Sequence, residues 1–342
     1  MIILQLKSTQ NINSLEDISS IIGYLYNKHN YKIRGHEIQQ INSNIEKMTT
    51  VERANIVSSF CSKHELDYLT YHTPFLVNGA SFYYYDDIKW HQKVADSILI
   101  TIKEAEKVYS DANLKHRIII VFHVIGFIPK QDVQLLTKET KSKVVKRLES
   151  SLIDYFYSNN INNIISNLDQ SINEQQHYYL LAVENSYPKP STNSRQLIGL
   201  YHPIELLELN KKYNIKVTLD LSHYQIYSNY LLYGKGNTVG DIERQIYGSH
   251  VTSWKNCINM LGSSLVQLHI SDAKGIDRNG EGLPIKEGEI DIVGILNQIN
   301  SLEEGRKIIQ GTIELKEGHL HNGKLQKQSA DWLLTNVRDS FG

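Results

Sequence analysis

The sequence contains only two cysteines, Cys61 and Cys257, which lie far apart and form no CxxC motif. This scarcity excludes a disulfide framework and indicates reduced thiols, as in cytosolic proteins. No apolar run approaches the roughly 18 residues of a transmembrane helix. The apolar part of the N-terminal segment MIILQLKS is too short for a signal peptide. We therefore expect a cytoplasmic protein with no membrane partner.

The sequence also lacks an excess of charge. Its 36 basic residues nearly cancel 37 acidic ones, for a net charge of −1. No global field therefore attracts nucleic acid, although local patches and bound metal still can. Interior linkers and low-complexity tracts are absent as well. The 342 residues, 41% of them hydrophobic, can form one large α/β barrel or two average domains.

Strand-like runs alternate with amphipathic helical segments along the whole chain. The predicted strands are Ile2–Leu6, Tyr31–Glu37, Leu69–His72, Arg117–His123, Tyr178–Glu184, Lys216–Asp220, Leu265–Ile270 and Lys307–Glu314. This alternation is typical of parallel βαβ units. We predict a single α/β domain over residues 1–342, a (β/α)8 TIM barrel, because polar strand ends recur through the last strand. An open sheet would concentrate its site at one switch point.

One connection, at about residues 224–262, is long for such a barrel and is rich in tyrosine. It is interpreted as an insertion, either a lid that contacts substrate through residues such as Tyr224 or a peripheral excursion.

Six predicted strands end in a side chain that can bind metal. These residues are His72, His123, Glu184, Asp220, His269 and Glu314. Because the C-terminal ends of barrel strands meet at one mouth, these side chains can share one pocket. His223 completes a DxxH pair with Asp220 and can face the same ion if the chain turns after Leu221. One such strand end would mean little, since most are solvated or cap a helix; six in succession predict a site for zinc, manganese or iron.

At this point the sequence resembles a known family. The series HTPFLVNGAS, VFH, VEN, LDLSH, LHISDAK, KEGEID and IEL, from about Tyr71 to Glu314, is similar to the endonuclease IV branch of the xylose isomerase-like TIM-barrel superfamily. The resemblance implies a metal set that sugar isomerases and epimerases share: Glu184, Asp220, His269 and Glu314. It also implies that His72 and His123 build a second metal site on Glu184. Phe75 matches an aromatic residue near the DNA-binding surface of that family.

The sequence departs from this family at the third metal site. His223 is present, but the Asp-x-His that should accompany it falls on Gly280–Gly282 when the chain is aligned on KEGEID. The nearby Asp277–Asn279 lacks the final histidine. A dinuclear site and a third metal bound by Asp277 or Glu281 both stay open.

Two chemistries compete on this set of residues. In the first, two or three ions, zinc before manganese, magnesium or iron, polarise a phosphodiester and activate water. Glu184 and Glu314 are then the catalytic residues, and damaged DNA is the substrate. A rim of cations is expected for DNA, and aromatic side chains such as Phe75 and Tyr224 could enter an abasic gap. The candidate cations are Lys7, Arg34, Lys189, Lys274 and Lys316.

In the second chemistry, one ion on the quartet chelates a small sugar. Glu184 and Glu314 exchange a proton beside the carbonyl, as in an isomerase or epimerase. His223 then bonds a sugar hydroxyl, and His72 and His123 only line the pocket. Binding or oxidation at a pair of non-haem irons is a third possibility. No obligatory protein partner is evident from the sequence.

Overall fold

The computed structural model describes most of the chain. The described residues are 1–41, 47–74, 87–129, 138–155, 158, 178–188, 190–191, 195–233, 238–248, 253–276, 278–302, 308–316, 318 and 321–342. None of the helices within these ranges is both long enough and apolar enough to cross a membrane. The two cysteines are buried and form no disulfide.

Eight parallel strands close into a barrel. In chain order the strands are β1 (Ile2–Thr9), β2 (Gly35–Gln39), β3 (Tyr68–His72), β4 (Ile118–His123), β5 (Ile125–Pro129), β6 (Tyr179–Glu184), β7 (Pro190–Ser191), β8 (Arg195–Gly199), β9 (Lys216–Asp220), β10 (Leu265–Ile270) and β11 (Ile309–Ile313). The barrel order is β1-β11-β10-β9-β6-β4-β3-β2, while β5, β8 and β7 form a small antiparallel sheet. The predicted (β/α)8 barrel is confirmed. Each predicted barrel strand is present: Lys216–Asp220 and Leu265–Ile270 have the predicted bounds, and the other six have shifted ends.

Helices surround the barrel between the strands. Those of the described residues are α1 (Ile12–His29), α2 (Thr50–Lys63), α3 (Ile88–Asp111), α4 (Lys138–Leu148), α5 (Pro203–Tyr213), α6 (Leu221–Tyr233), α7 (Thr238–Tyr247), α8 (Trp254–Leu261), α9 (Ile292–Asn300) and α10 (Lys324–Asn336). Local sequence sets several of their ends. For example, Thr49 and Glu52 form a reciprocal capping box at the start of α2. The apolar core fills the space between helices and strands.

The connection at residues 224–262 is mostly helical rather than an open loop. It contains most of α6 together with α7 and α8, which link β9 to β10. Tyr224 is fully buried, with its ring 4.8 Å from that of Trp254. The hydroxyl of Tyr227 donates to Glu243 at 2.9 Å. These tyrosines pack the helices together, which corrects the expectation that Tyr224 contacts substrate. The glycine-containing segment 234–237 lies outside the described residues.

The inside of the barrel is polar beneath its mouth. Gln5, Thr70, Gln267, Gln310 and Thr312 are all buried there. They bond one another across the barrel: Thr312 Oγ1 donates to Gln5 Oε1 at 2.7 Å, and Thr70 Oγ1 donates to Gln310 Oε1 at 2.9 Å. Buried polar groups cost little only when they are hydrogen-bonded in this way. The network therefore forms a rigid floor for the side chains above it.

A second buried polar cluster fastens two helices outside the barrel. Arg53 of α2 donates from Nε to Glu104 Oε2 of α3 at 2.7 Å, and both side chains are almost fully buried. Gln40, which follows β2 and lines the mouth, also reaches Glu104, at 3.4 Å. The cluster thus links helix packing to one wall of the mouth.

Removal of the Arg53 charge is expected to destabilise the fold strongly. Arg53→Met leaves the buried carboxylate of Glu104 without its counter-charge, and breaking a buried pair in this way costs about 3–5 kcal/mol. The control is Lys107→Met, which removes the exposed pair Lys107–Asp111 and should cost about 0.3–0.5 kcal/mol. Urea unfolding followed by circular dichroism measures both. Equal, small losses in the two variants would contradict this account.

Candidate metal centre

Glu184 lies at the centre of the mouth, at the end of β6, and is buried. Its Oε2 atom lies 3.0 Å from His72 Nε2 and 3.4 Å from His123 Nε2. The same oxygen lies 3.4 Å from His269 Nδ1, and Oε1 lies 3.2 Å from His223 Nδ1. Two ligand atoms of one tetrahedral zinc ion are roughly 3.3 Å apart. The spacing around Glu184 therefore fits ligands that share ions.

A second group of possible metal ligands surrounds His269, at the end of β10. Its Nδ1 atom lies 3.4 Å from Glu184 Oε2 and 3.9 Å from Asp220 Oδ2, and it contacts Glu314 Oε2. The His269 nitrogen and this Glu314 oxygen are buried, and their contact lacks hydrogen-bond geometry. Once Nδ1 has lost the proton that its raised pKa holds there, the two atoms can act as ligands of one cation. The three carboxylates and the imidazole of the predicted quartet are therefore brought together.

One ring nitrogen of His72 and one of His223 are held by backbone hydrogen bonds. Nδ1–H of His72 donates to the carbonyl oxygen of Thr73 at 2.8 Å, and Nδ1–H of His223 donates to that of Asn185 at 3.0 Å. A carbonyl oxygen only accepts, so both protons are assigned to Nδ1. Nε2 of His72 then faces Glu184, where it can act as a ligand atom, and Nε2 of His223 faces Glu281.

Asp220 and His223 are placed by a helix that starts immediately after β9. Helix α6 begins at Leu221, and Asp220 Oδ1 accepts a hydrogen bond from the backbone N–H of His223 at 2.6 Å. The Asn185 side chain bonds both backbone groups of Asp220, accepting from N–H at 2.7 Å and donating to O at 3.1 Å. Because Oδ1 caps the helix, Oδ2 stays available to the centre. The chain turns at Leu221, as the DxxH spacing requires.

Glu281 lies at the position where a third ion was considered. Its Oε1 atom lies 3.2 Å from His223 Nε2, and its Oε2 accepts from the Tyr187 hydroxyl at 2.5 Å. The next residue, Gly282, has a φ of +62°, and its N–H donates to Ser222 Oγ at 2.8 Å. A side chain there would be strained, so glycine fixes the turn that presents Glu281. Asp277, the other candidate, lies outside the described residues.

Burial and mutual charge perturb the titration of the whole cluster. Burial lowers the pKa of His123 to about 3, which keeps it neutral and able to bind metal. Burial also raises the pKa of Asp220 to about 7, with help from the charges of Glu184 and Glu314. Although burial opposes it, nearby carboxylates raise the pKa of His269 well above its usual value. The centre therefore takes up protons when no other cation balances its carboxylates.

Two residues of the site were not identified from the sequence. Glu37 of β2 is fully buried, and its Oε2 accepts from Nε2–H of His269 at 3.0 Å. This bond leaves Nδ1 of His269 as the ligand atom. The second is Tyr187, three residues after the end of β6, whose hydroxyl donates to Glu281. The alternation of Glu37 with Gln39 along β2 was the one available signal, since alternate residues of a strand share a face.

Several predicted DNA-contacting residues lie elsewhere. Lys7 is not on the rim but inside the barrel, where it pairs with Glu37 and Glu314. Arg34 precedes β2, at the opposite end of the barrel, and pairs with Asp67 at 2.6 Å. These positions correct both expectations, because two carboxylates hold the nearly buried Lys7 within the mouth and Arg34 lies at the other end of the barrel.

Of the remaining candidates, Lys274 and Lys316 are exposed, and Lys316 lines the mouth. Phe75 and Lys189 lie outside the described residues.

The mouth contains two adjoining cavities of about 440 and 510 Å³. Both are in the range that small-molecule sites usually occupy. Five residues line both of them: Gln39, Ile41, His223, Glu281 and Glu314. The first cavity extends past the histidines to Leu197 of β8, so the antiparallel sheet forms part of its wall. The second extends over Lys7 and Lys316.

Comparison with known proteins identifies the fold. No family model and no curated protein sequence matches this chain. It is similar to the structure of 3-keto-D-glucoside 4-epimerase from E. coli (10% identity, TM-score 0.56, covering 98% of this chain and 100% of that one). It is also similar to a xylose isomerase domain protein from Planctomyces limnophilus (14%, 0.53, 99% and 98%). A third similar structure is endonuclease IV from Thermus thermophilus (13%, 0.50, 98% and 98%).

These three structures share the xylose isomerase-like TIM barrel, and the expected fold is thereby confirmed. They include an epimerase as well as an endonuclease, so the endonuclease IV branch is not singled out.

The stability of the metal-free protein should fall as the pH rises. Asp220, His223 and His269 have a raised pKa in the folded state, so each holds a proton that the unfolded chain has released. The stability that such a group contributes is fully present below its pKa in the unfolded chain. It is lost as the pH rises through its higher pKa in the folded protein. We expect the Tm of chelator-treated protein to drop as the pH rises above about 6.5, because histidines of the unfolded chain lose their protons there while His223 and His269 keep theirs in the folded state.

Zinc-loaded protein is the control for this measurement. Its ligands are already deprotonated, and metal binds more tightly at higher pH, so its Tm should stay level or rise. Scanning calorimetry with and without chelator compares the two forms. A metal-free Tm that rises over this range would show the titration to be wrong.

Proposed function

We propose that this protein is a metal-dependent phosphodiester hydrolase of the endonuclease IV type, that it acts on damaged DNA, and that it uses two divalent ions, preferably zinc. The observation that carries the proposal is the position of His72 and His123. Both place Nε2 within 3.4 Å of the same oxygen of Glu184. Under this proposal the two imidazoles and the carboxylate oxygen hold one ion, and the quartet around His269 holds the other.

The charge of the centre supports two ions. Among the described residues, five carboxylates meet there: Glu37, Glu184, Asp220, Glu281 and Glu314. Buried charge is costly unless it is balanced. The ammonium of Lys7 balances one of these carboxylates. Two divalent cations balance the other four, whereas a single cation would leave two negative charges.

The side chains divide into three roles under this proposal. Glu184 bridges the two ligand sets, with His72 and His123 on one side and the rest of the quartet on the other. Bound divalent ions would polarise the phosphodiester and make a nearby water more acidic. The Tyr187 hydroxyl donates to Glu281, and Glu281 contacts His223. These three side chains form a polar wall at the boundary between the two cavities.

Two features of the mouth support DNA as the substrate. Each cavity can take a sugar and its phosphate, and the exposed Lys316 lies at the edge of one of them. The ions would supply the positive field that the nearly neutral chain lacks. The similar endonuclease IV structure motivates a lesion in DNA as the first substrate to test.

Sugar epimerisation is the second candidate. The similar 3-keto-D-glucoside 4-epimerase and the size of the cavities favour it. In that case one ion on the quartet would hold the sugar, and Glu184 and Glu314 would exchange its proton. His72 and His123 would then line the pocket without binding metal.

The number of ions separates the two candidates. We expect elemental mass spectrometry to find two zinc equivalents per chain, and about one equivalent to be lost in His123→Ala because its ligand set loses a donor. His116→Ala is the matched control, since His116 stacks on Tyr68 away from the mouth and should leave both ions in place. One manganese or magnesium equivalent that survives His123→Ala would refute the dinuclear proposal.

A cleavage assay on duplexes with and without an abasic site then tests the reaction itself. The wild type and His116→Ala should cut the damaged strand, and His123→Ala should not. If no duplex is cut but a ketose is epimerised, the hydrolase proposal fails.

A further inference from the structure

Lys7 closes a ring of charged contacts at the floor of the metal centre. Its Nζ atom lies 2.7 Å from Glu37 Oε1 and donates to Glu314 Oε1 at 2.6 Å. The other oxygen of Glu37 accepts from His269 Nε2–H, and the other oxygen of Glu314 contacts His269 Nδ1. The four side chains therefore contact one another in a closed cycle. The contact between His269 Nδ1 and Glu314 Oε2 is the one place in this cycle where an ion fits.

The barrel fixes Lys7 in this position. β1 pairs with β2 so that Lys7 is opposite Glu37, and β1 also pairs with β11, which leads directly to Glu314. Only 11% of the Lys7 side chain is exposed. A lysine side chain is normally flexible, but here two carboxylates and the barrel wall restrict it.

The contact with Lys7 limits how Glu314 can bind an ion. With Oε1 occupied by the ammonium of Lys7, Glu314 offers only Oε2 to an ion. Zinc accepts such a site, since it binds four nitrogen or single oxygen donors. Manganese is larger, favours carboxylate and water oxygens and takes a higher coordination number, so a carboxylate that offers both oxygens suits it better than it suits zinc.

We propose that Lys7 is a positioning residue that keeps Glu314 a one-oxygen ligand and thereby selects zinc over larger ions that prefer oxygen. This inference rests on the metal centre of the proposed function, but it concerns only the half formed by His269 and Glu314. That half is common to the hydrolase and the epimerase.

The test is a competition between Zn²⁺ and Mn²⁺ for the metal-free protein, measured by elemental analysis after equilibrium dialysis. Lys7→Met frees Oε1 of Glu314 at nearly constant volume, so we expect the preference for zinc to fall at least tenfold. Lys7→Arg keeps the charge and should restore most of the preference. Lys32→Met is the matched control, since it removes an exposed lysine that pairs with Glu65, and it should not alter the preference.

Absorption spectra with Co²⁺ alone give a readout that a purely structural role would not change. Lys7→Met should weaken the visible bands, because a second oxygen from Glu314 raises the coordination number. An unchanged metal preference together with an unchanged Co²⁺ spectrum in Lys7→Met would overturn the proposal. If Lys7→Met does not fold, Lys7→Arg decides: retained zinc preference supports the proposal, and its loss in a folded protein contradicts it.

The proposed role of Lys7 and the proposed hydrolase function can be refuted separately. A chain that binds one ion and cleaves no DNA refutes the hydrolase, yet its ion preference can still depend on Lys7. A dinuclear hydrolase whose preference ignores Lys7 refutes only the role of Lys7.

Discussion

The burial of carboxylates around Glu184 is the constraint on which the rest of this structure depends. Glu184 is enclosed by a closed barrel, and water cannot stabilise its charge there as it would at the surface. Four strands supply compensating groups to this cluster of carboxylates. β3, β4 and β10 contribute the imidazoles of His72, His123 and His269, and β1 contributes Lys7. A closed parallel barrel makes this possible because all its strand ends face the same small volume.

The polar interior of the barrel follows from the same constraint. A purely apolar floor could not hold Glu37, which must accept a hydrogen bond from His269 and pair with Lys7. Gln267 Nε2 also donates to Glu37, and the Thr312 hydroxyl oxygen lies 3.0 Å from the same carboxylate oxygen, so polar groups surround the charge of Glu37. The orientation of His269 therefore depends on residues well beneath the mouth, and groups behind metal ligands commonly tune them in this way.

Much of the site could be predicted from the chain because its residues end strands. The hydrophobic pattern of the sequence reveals the apolar runs that form strands. Five site residues are the last or nearly the last residue of such a run: His72, His123, Glu184, Asp220 and His269. Lys7 and Glu37 could not be placed in this way. Their partners are up to 307 residues away, and such contacts are set by barrel closure and register rather than by local pattern. The predicted second strand ends at Glu37, whereas β2 continues to Gln39. Because the strand was predicted to end too early, Glu37 and Gln39 could not be recognised as two residues on the same face. Tyr224 stood in a tyrosine-rich segment that suggested a loop, but tertiary packing against Trp254 buries its ring between α6 and α8.

Under the proposed function the histidines beside Glu184 hold a second ion, whereas a one-ion epimerase on the same barrel would leave them without metal. The quartet of Glu184, Asp220, His269 and Glu314 serves either chemistry, so fold and quartet alone do not choose between them. The most direct measurement is anomalous X-ray diffraction at the zinc edge from crystals of zinc-loaded protein. This account predicts two strong peaks, one on each side of Glu184, the first bound by His72 and His123. A single peak within the quartet, with both histidines unbound, would contradict it.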